Sequence, residues 1–391
     1  MFTLENLNIQ PIINACGTVT RLGGAPLRQE ALEAYQRTSL QAVAIEELQT
    51  AVSSQLAIWT GAEAGIITSG AAAALTLGAA AILAGTDTAK MDRLPDTENM
   101  PNEFIMSRDH RSGYDHAVRA SGARLVEVGL NEVVSGAGVR RTEVWEYEAA
   151  ISPKTAGILY VYTSDSAPSL SDVITLGQQH NIPLLIDAAG ELPPPSNLKM
   201  LASSGANLLA FSGGKAIGGP QATGLLLGQK KLVGSALLQM LDMDDHPQLW
   251  QPTLLEKNEL RGMPRHGIGR GFKVSKESIM ALMSALDCFL REDNSQRMAS
   301  MAGILSDLQS QLETVGIQCH LVWPNVETIP KLHVAAKDAF QACQRLRDHS
   351  PRVFVGHGLL DQDILIINAI ALHEHQLKDL SESLISCLCD K

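Results

Sequence analysis

One lysine stands where an amine can do covalent chemistry. Lys215 lies in the stretch 208–228, LLAFSGGKAIGGPQATGLLLG, and the three residues before it, Ser212, Gly213 and Gly214, are too small to cover it. The apolar run Leu208 to Phe211 reads as a short buried strand and the run Ala222 to Leu227 as another, with the turn Gly218-Gly219-Pro220 between them. Lys215 is thus presented on a tight connection, not packed. Asp187 lies 28 residues upstream (215 − 187), at the end of the apolar run Ile182 to Ile186. A carboxylate ending a buried strand is costly unless a cation meets it. An amine for an aldehyde and a carboxylate for a protonated ring nitrogen are the two demands of pyridoxal 5'-phosphate. The expectation is a Schiff base at Lys215 and a pyridine-nitrogen contact at Asp187. A phosphate-binding P-loop is excluded, because it needs glycine at position 209 and Ser or Thr at 216, where this chain has Leu209 and Ala216.

The cofactor's phosphate needs donors. Thr68-Ser69-Gly70 opens the alanine-rich run Ala71 to Leu83, a strong helix former, and a helix start of this kind favours an anion through its free N–H groups and dipole. Ser69, Gly70 and Ala71 are the expected phosphate cup. Past the apolar run Phe104-Ile105-Met106 comes a cluster of titratable residues, 107–116, from which His110 is expected to stack on the pyridine ring. Tyr114 and His116 read as part of a following helix. The glycine-rich basic stretch 260–272, LRGMPRHGIGRGF, offers Arg265 and Arg270 as a clamp for a substrate anion, with Arg352 as a further candidate for a substrate carboxylate. A solvated loop is the competing reading of those arginines.

The elements that must position these residues follow from periodicity. From residue 143 onward, apolar runs at 157–162, 183–187 and 207–211 alternate with helical patterns at 145–151, 169–180 and 198–203. Such alternation implies an α/β fold with a mostly parallel sheet and helices on both faces. Two helices are expected at 27–39 and 45–59, a long loop at 86–102, and a further loop around Gly136 and Gly138. Long helical patterns at 275–290 and 304–315 precede a tail of short strands and helices that reads as a smaller C-terminal α+β domain. The expected division is an N-terminal arm over 1–25, a large cofactor-binding domain over 26–242, and linker helices with the small domain over 243–391.

Composition narrows the class. A formal net charge of −11 without clustered Lys and Arg argues against a nucleic-acid partner. The six cysteines are scattered, and His373-Glu374-His375 lacks metalloprotease spacing, so no metal site is expected. The opening MFTLENLNIQP has no basic start or apolar core, and the apolar stretch 71–84 is too short for a bilayer. A cytoplasmic protein with no membrane partner is the expectation.

The order of small-residue cup, His, strand-end Asp and Ser-x-x-Lys resembles the fold-type I (aspartate aminotransferase-like) pyridoxal-phosphate enzymes over nearly the whole chain. INACGTVTRLGGAPL at 13–27, SGGKAIGGPQATGLLLG at 212–228 and GRGFKVSKESIMALMSAL at 269–286 resemble, more narrowly, the selenocysteine synthase-related group that includes D-glucosaminate-6-phosphate ammonia-lyase. The resemblance implies Lys215 as Schiff-base lysine, Asp187 as ring-nitrogen partner, and Ser69, Gly70, Ala71 and Ser212 as phosphate contacts. It also implies a homodimer or larger homo-oligomer. The function expected is a lyase that takes a hydroxylated amino acid, a sugar-derived one among the candidates, through Cα proton abstraction and β-elimination to a 2-oxo acid and ammonia. Aldol cleavage, racemisation, amino transfer or selenium transfer on the same fold are the alternatives, as is a non-catalytic binding or scaffolding protein.

Overall fold

A computed structural model describes residues 2–130 and 140–389. The loop expected around Gly136 and Gly138 lies outside them. Twelve strands occur among the described residues: β1 (Ile12–Ala15), β2 (Ala64–Thr68), β3 (Glu103–Ser107), β4 (Arg124–Val128), β5 (Thr155–Val161), β6 (Leu184–Asp187), β7 (Leu208–Ser212), β8 (Gly224–Gly228), β9 (Cys319–Val322), β10 (Lys331–Ala335), β11 (Arg352–Val355) and β12 (Ile364–Asn368). The chain divides into two compact units, Leu27–Cys288 and Met1–Pro26 with Phe289–Lys391.

The large unit is built on a seven-stranded sheet in the order β2-β8-β7-β6-β5-β3-β4. Strands β3 to β7 pair in parallel, and only β8 runs against its neighbours. Every residue of β2 and β8 is buried, as are the first four of β7, which is why these strands read as continuous apolar runs. The helix Ala71–Ala84 lies against the middle of this sheet, and a Cβ at its Gly78 would come within 2.9 Å of Leu185 Cδ1 on β6 and 3.4 Å of Leu208 Cδ1 on β7. Its alanines permit that close approach, so its N-terminus is held down near the strand ends.

The edge strand β2 is completed by side chains. Gln49 Nε2 donates to the Ile67 carbonyl at 2.8 Å, Gln49 Oε1 accepts from the Ile67 N–H at 3.0 Å, and Ser53 Oγ accepts from the Gly65 N–H at 3.1 Å. The helix Ile45–Thr60 thus supplies, at Gly65 and Ile67, polar partners that another strand would have given.

Several expectations shift in detail. The segment 86–102, read as a loop, contains the helix Thr88–Arg93, started by Asp87, whose carboxylate accepts from the Ala89 and Lys90 N–H groups. The helix read from Tyr114 begins instead as a 3-10 turn, Gly113–Asp115, followed by His116–Arg119. The helix Lys230–Met240 has no counterpart in the sequence reading, because 233–240 is buried on all sides and so lacks a polar face. The expected division falls after residue 242, whereas the large unit extends to Cys288. The physical reason is packing: a Cβ at Gly269 would meet Leu77 Cδ2 at 2.4 Å and the Gln239 carbonyl oxygen at 2.8 Å.

The small unit holds the antiparallel sheet β12-β10-β9 and a parallel pair, β1 with β11. Its core joins Ile13 and Ala15 of β1 to Leu305, Leu308 and Leu312 of the helix Asn294–Thr314, Leu332, Val334, Leu346, Val353, Val355 and Leu380. The N-terminal arm is therefore a working strand of this unit. No helix among the described residues is long and apolar enough to cross a membrane.

Candidate active site

The C-terminal ends of the parallel strands bring the sequence-derived residues together. Val161, Asp187 and Ala210 are register partners across β5, β6 and β7. Thr68, Gly224 and Ser212 are register partners across β2, β8 and β7. Neighbouring strands lie about 4.8 Å apart, and alternate residues share a face, so Asp187, Ala210 and Ser212 point the same way. The helix Ala71–Ala84 packs on that face, since Leu185 and Leu208, the residues its Gly78 approaches, alternate in phase with Asp187 and Ala210.

Gly224 lets the helix start close over the strands. A Cβ there would sit 2.5 Å from the Gly70 carbonyl carbon and 2.6 Å from the Ala71 nitrogen, both backbone atoms that cannot swing aside. Gly70 caps the helix without any side-chain hydrogen bond, and the first turn carries no acidic residue. The leading N–H groups of Ala71 and its successors therefore have no side-chain acceptor from the cap. Gly70 and Ala71 thus lie over Gly224, the register partner of Ser212.

Lys215 leaves β7 on a loop that folds back on itself. The Gly213 N–H donates to the Thr223 carbonyl at 2.9 Å and the Gly219 N–H to the Gly213 carbonyl at 3.0 Å. Gly214 is needed because a Cβ would meet Gln221 Cα at 2.4 Å. Lys215 itself is only half-buried. Burial holds its amine below the usual lysine range, opposed by the charges of Asp187 and Glu191. Burial likewise holds Asp187 above the usual carboxylate range, opposed by the Ala189 N–H, which donates to Oδ1 at 3.0 Å, and by Lys215. The amine and the carboxylate thus act on each other across the loop.

His110 ends a short 3-10 turn after β3 and is buried. Its Nδ1 accepts from the Val161 N–H at 3.4 Å, so the ring stands beside the very strand residue that flanks Asp187. It meets Tyr160 edge-on, with ring centroids 4.8 Å apart. Burial lowers its pKa to about 4, keeping a neutral imidazole at neutral pH. Its Nε2 is buried and has no hydrogen-bond partner among the described residues.

Two residues escaped the sequence reading. Glu191 is drawn in by a turn in which its N–H donates to the Ala188 carbonyl at 3.1 Å, and burial raises its carboxyl pKa, opposed by Lys215 and reinforced by Asp187. The small run Ala188-Ala189-Gly190 was its only signal. Gly224 carried none beyond ending a loop. The arginines are placed differently from the rest. Arg265 is highly exposed and lies 3.7 Å from Asp92, and Arg270 pairs with Asp242, so both charges are locally balanced. Arg352 belongs to the small unit, where its Nε donates to the Arg347 carbonyl at 3.1 Å.

A half-buried carboxylate opposite an amine, a helix start free of side-chain caps and a buried imidazole with an unpartnered nitrogen fit pyridoxal phosphate. The fold is that of the fold-type I pyridoxal-phosphate enzymes. An aspartate aminotransferase from Thermotoga maritima matches with a TM-score of 0.51, at 14% identity and over 98% of this chain and 93% of that one. A structure of D-glucosaminate-6-phosphate ammonia-lyase matches with a TM-score of 0.78, at 24% identity and over 98% of this chain and 97% of that one. In sequence, residues 114–244 match the family model SelA, L-seryl-tRNA selenium transferase. The D-glucosaminate-6-phosphate ammonia lyase of Salmonella typhimurium (strain 14028s / SGSC 2262) is 30% identical, over 72% of this chain and 69% of that protein. The 5'-C-glycyluridine monooxygenase-decarboxylase of a Streptomyces species is 28% identical, over 80% of this chain and 71% of that protein. The chain belongs to the selenocysteine synthase-related family of pyridoxal-phosphate enzymes, together with D-glucosaminate-6-phosphate ammonia-lyase.

Proposed function

We propose that the protein is a pyridoxal-phosphate-dependent ammonia-lyase. Its substrate is a hydroxylated, sugar-derived amino acid, which loses its Cα proton and β-hydroxyl to give a 2-oxo acid and ammonia. The observation that carries this reading is the placing of Asp187 at the end of β6 and Lys215 just past β7, each held toward its neutral form by burial and each opposing that shift in the other. Bound pyridoxal phosphate supplies an electron sink for the substrate's Cα. Lys215 Nζ holds the cofactor covalently and then takes the Cα proton, a task suited to an amine whose pKa burial has lowered. Asp187 keeps a proton on the ring nitrogen. Ser69, Gly70, Ala71 and Ser212 hold the phosphate, and His110 offers a neutral ring and its Nε2 to the cofactor. Arg270 or Arg265 holds the substrate's anionic group. A homodimer or larger homo-oligomer in the cytoplasm completes the reading.

A second reading keeps the cofactor and changes the outcome. The relatives include a protein named as a monooxygenase-decarboxylase and others named as selenium transferases, so this framework is used for more than elimination. Product analysis separates the two. With β-hydroxy amino acids, including D-glucosaminate 6-phosphate, the lyase reading predicts ammonia and a 2-oxo acid in equal amounts. Glycine plus aldehyde, an inverted substrate, or carbon dioxide would replace it with an aldolase, a racemase or a decarboxylase.

A further inference from the structure

The small unit carries a second basic centre that the lyase chemistry leaves unused. Phe354 follows Val353 and precedes Val355 on β11, and those two valines point into the core. Strand alternation turns Phe354 to the opposite side, yet only 8% of it is exposed. Three guanidinium groups cover it: Arg21, Arg347 and Arg352 each place Cζ 5.5 Å from the ring centroid. They arrive from separate elements: Arg21 from the 3-10 turn Thr20–Leu22, Arg347 from the last turn of the helix Ala339–Asp348, and Arg352 from the first position of β11.

Like charges gathered round one ring repel, and the ring face offsets only part of that. Elsewhere arginines find acids: Arg93, Arg108, Arg111 and Arg119 each have a carboxylate within 4 Å. None of the three around Phe354 has a carboxylate partner among the described residues. Arg347 Nη2 instead donates to His357 Nε2 at 2.9 Å, which requires that ring nitrogen to be unprotonated. Burial and the charges of Arg347 and Arg21 keep the His357 pKa low, consistent with that role. Arg352 Nε donates to the Arg347 backbone carbonyl at 3.1 Å, which ties the Arg352 side chain to the end of the helix that carries Arg347.

We infer that Arg21, Arg347 and Arg352 form an anion-binding site on the small unit, and that it takes the phosphoryl group of a phosphate monoester. Planar guanidinium groups match phosphoryl oxygens in geometry and charge, and three of them suit a dianion better than a single carboxylate. Phe354 is the apolar surface that all three adjoin. The site does not rest on the chemistry at Lys215, and an inactive enzyme leaves it standing.

The test uses cofactor-loaded protein, so that the cofactor's own phosphate cup is filled. Phenylglyoxal labels arginines, and peptide mapping reads each one. With inorganic phosphate at about ten times its dissociation constant, labelling of Arg21, Arg347 and Arg352 should slow about tenfold, while Arg93 and Arg119 react as before. Glucose 6-phosphate should protect equally, and acetate at matched ionic strength much less. In R347Q, phosphate should no longer protect Arg21 and Arg352. Equal labelling of the three with and without phosphate in the unaltered protein would overturn the inference and leave the arginines as a cover for Phe354. Protection by acetate as strong as by phosphate would overturn the phosphoryl assignment.

Discussion

Two regions of the large unit both carry charged residues among glycines, and the structure treats them oppositely. At the strand ends, Lys215, Asp187 and Glu191 are withdrawn from water, and burial drives each toward its neutral form. In the stretch 260–272, Arg265 and Arg270 stay near solvent, each beside an acid. Exposed pairs of that kind contribute little to stability. Buried groups whose protein partners do not fully compensate them are where a fold stores reactivity. Glycine-rich basic sequence alone does not distinguish the two. What does is whether an apolar strand delivers the charge.

The largest effect expected from breaking this contrast is at Asp187. In D187N, turnover should fall roughly a hundredfold or more, since the ring nitrogen loses its carboxylate. The cofactor-free protein should behave in the opposite sense. Burial raises the folded-state pKa of Asp187, so the stability tied to its protonated form is present at low pH and lost as pH rises through that value. Asparagine never ionises, so cofactor-free D187N should melt no lower than wild type at pH 8, and the gap should close toward pH 4. A D187N protein that melts lower at pH 8 would mean that the carboxylate is structurally compensated after all.

A smaller effect is expected at Gly224. In G224A the new methyl group meets the Gly70–Ala71 backbone, so the helix start must shift away from Ser212. Cofactor affinity should drop about tenfold, with a stability loss of about 1–3 kcal/mol from overpacking. Unchanged cofactor affinity in a fluorescence titration would remove the helix N-terminus from the phosphate site.

The smallest effects should come from the exposed loop. R265Q and R270Q should leave the melting temperature unchanged. If either arginine holds the substrate's anionic group, KM rises while kcat stays. A fall in kcat at constant KM would move that arginine toward the reacting atoms and blur the contrast between the regions.

Much of this site was legible because parallel strands must be apolar runs that end in small residues. Asp187 and Lys215 stand out at such ends, and Ser69 to Ala71 mark a helix start. What was not legible has a physical reason in each case. The helix Lys230–Met240 is buried on all sides and shows no amphipathic period. The helix Thr88–Arg93 is a short turn and a half, started by Asp87 and hidden in polar sequence. The pairing of Ile12 with Arg352 joins distant ends of the chain, which local pattern cannot report. Glu191 reaches Lys215's surroundings only through a turn, and Gly224 matters only because another backbone passes over it.

The central claim is that Lys215 is the residue to which the cofactor is covalently joined. Borohydride reduction of the cofactor-loaded protein, followed by digestion and peptide mapping, tests it directly. One labelled peptide, carrying the cofactor on Lys215 and absent from K215A, is the predicted result. A label on another lysine, or none at all on protein saturated with pyridoxal phosphate, would contradict the account.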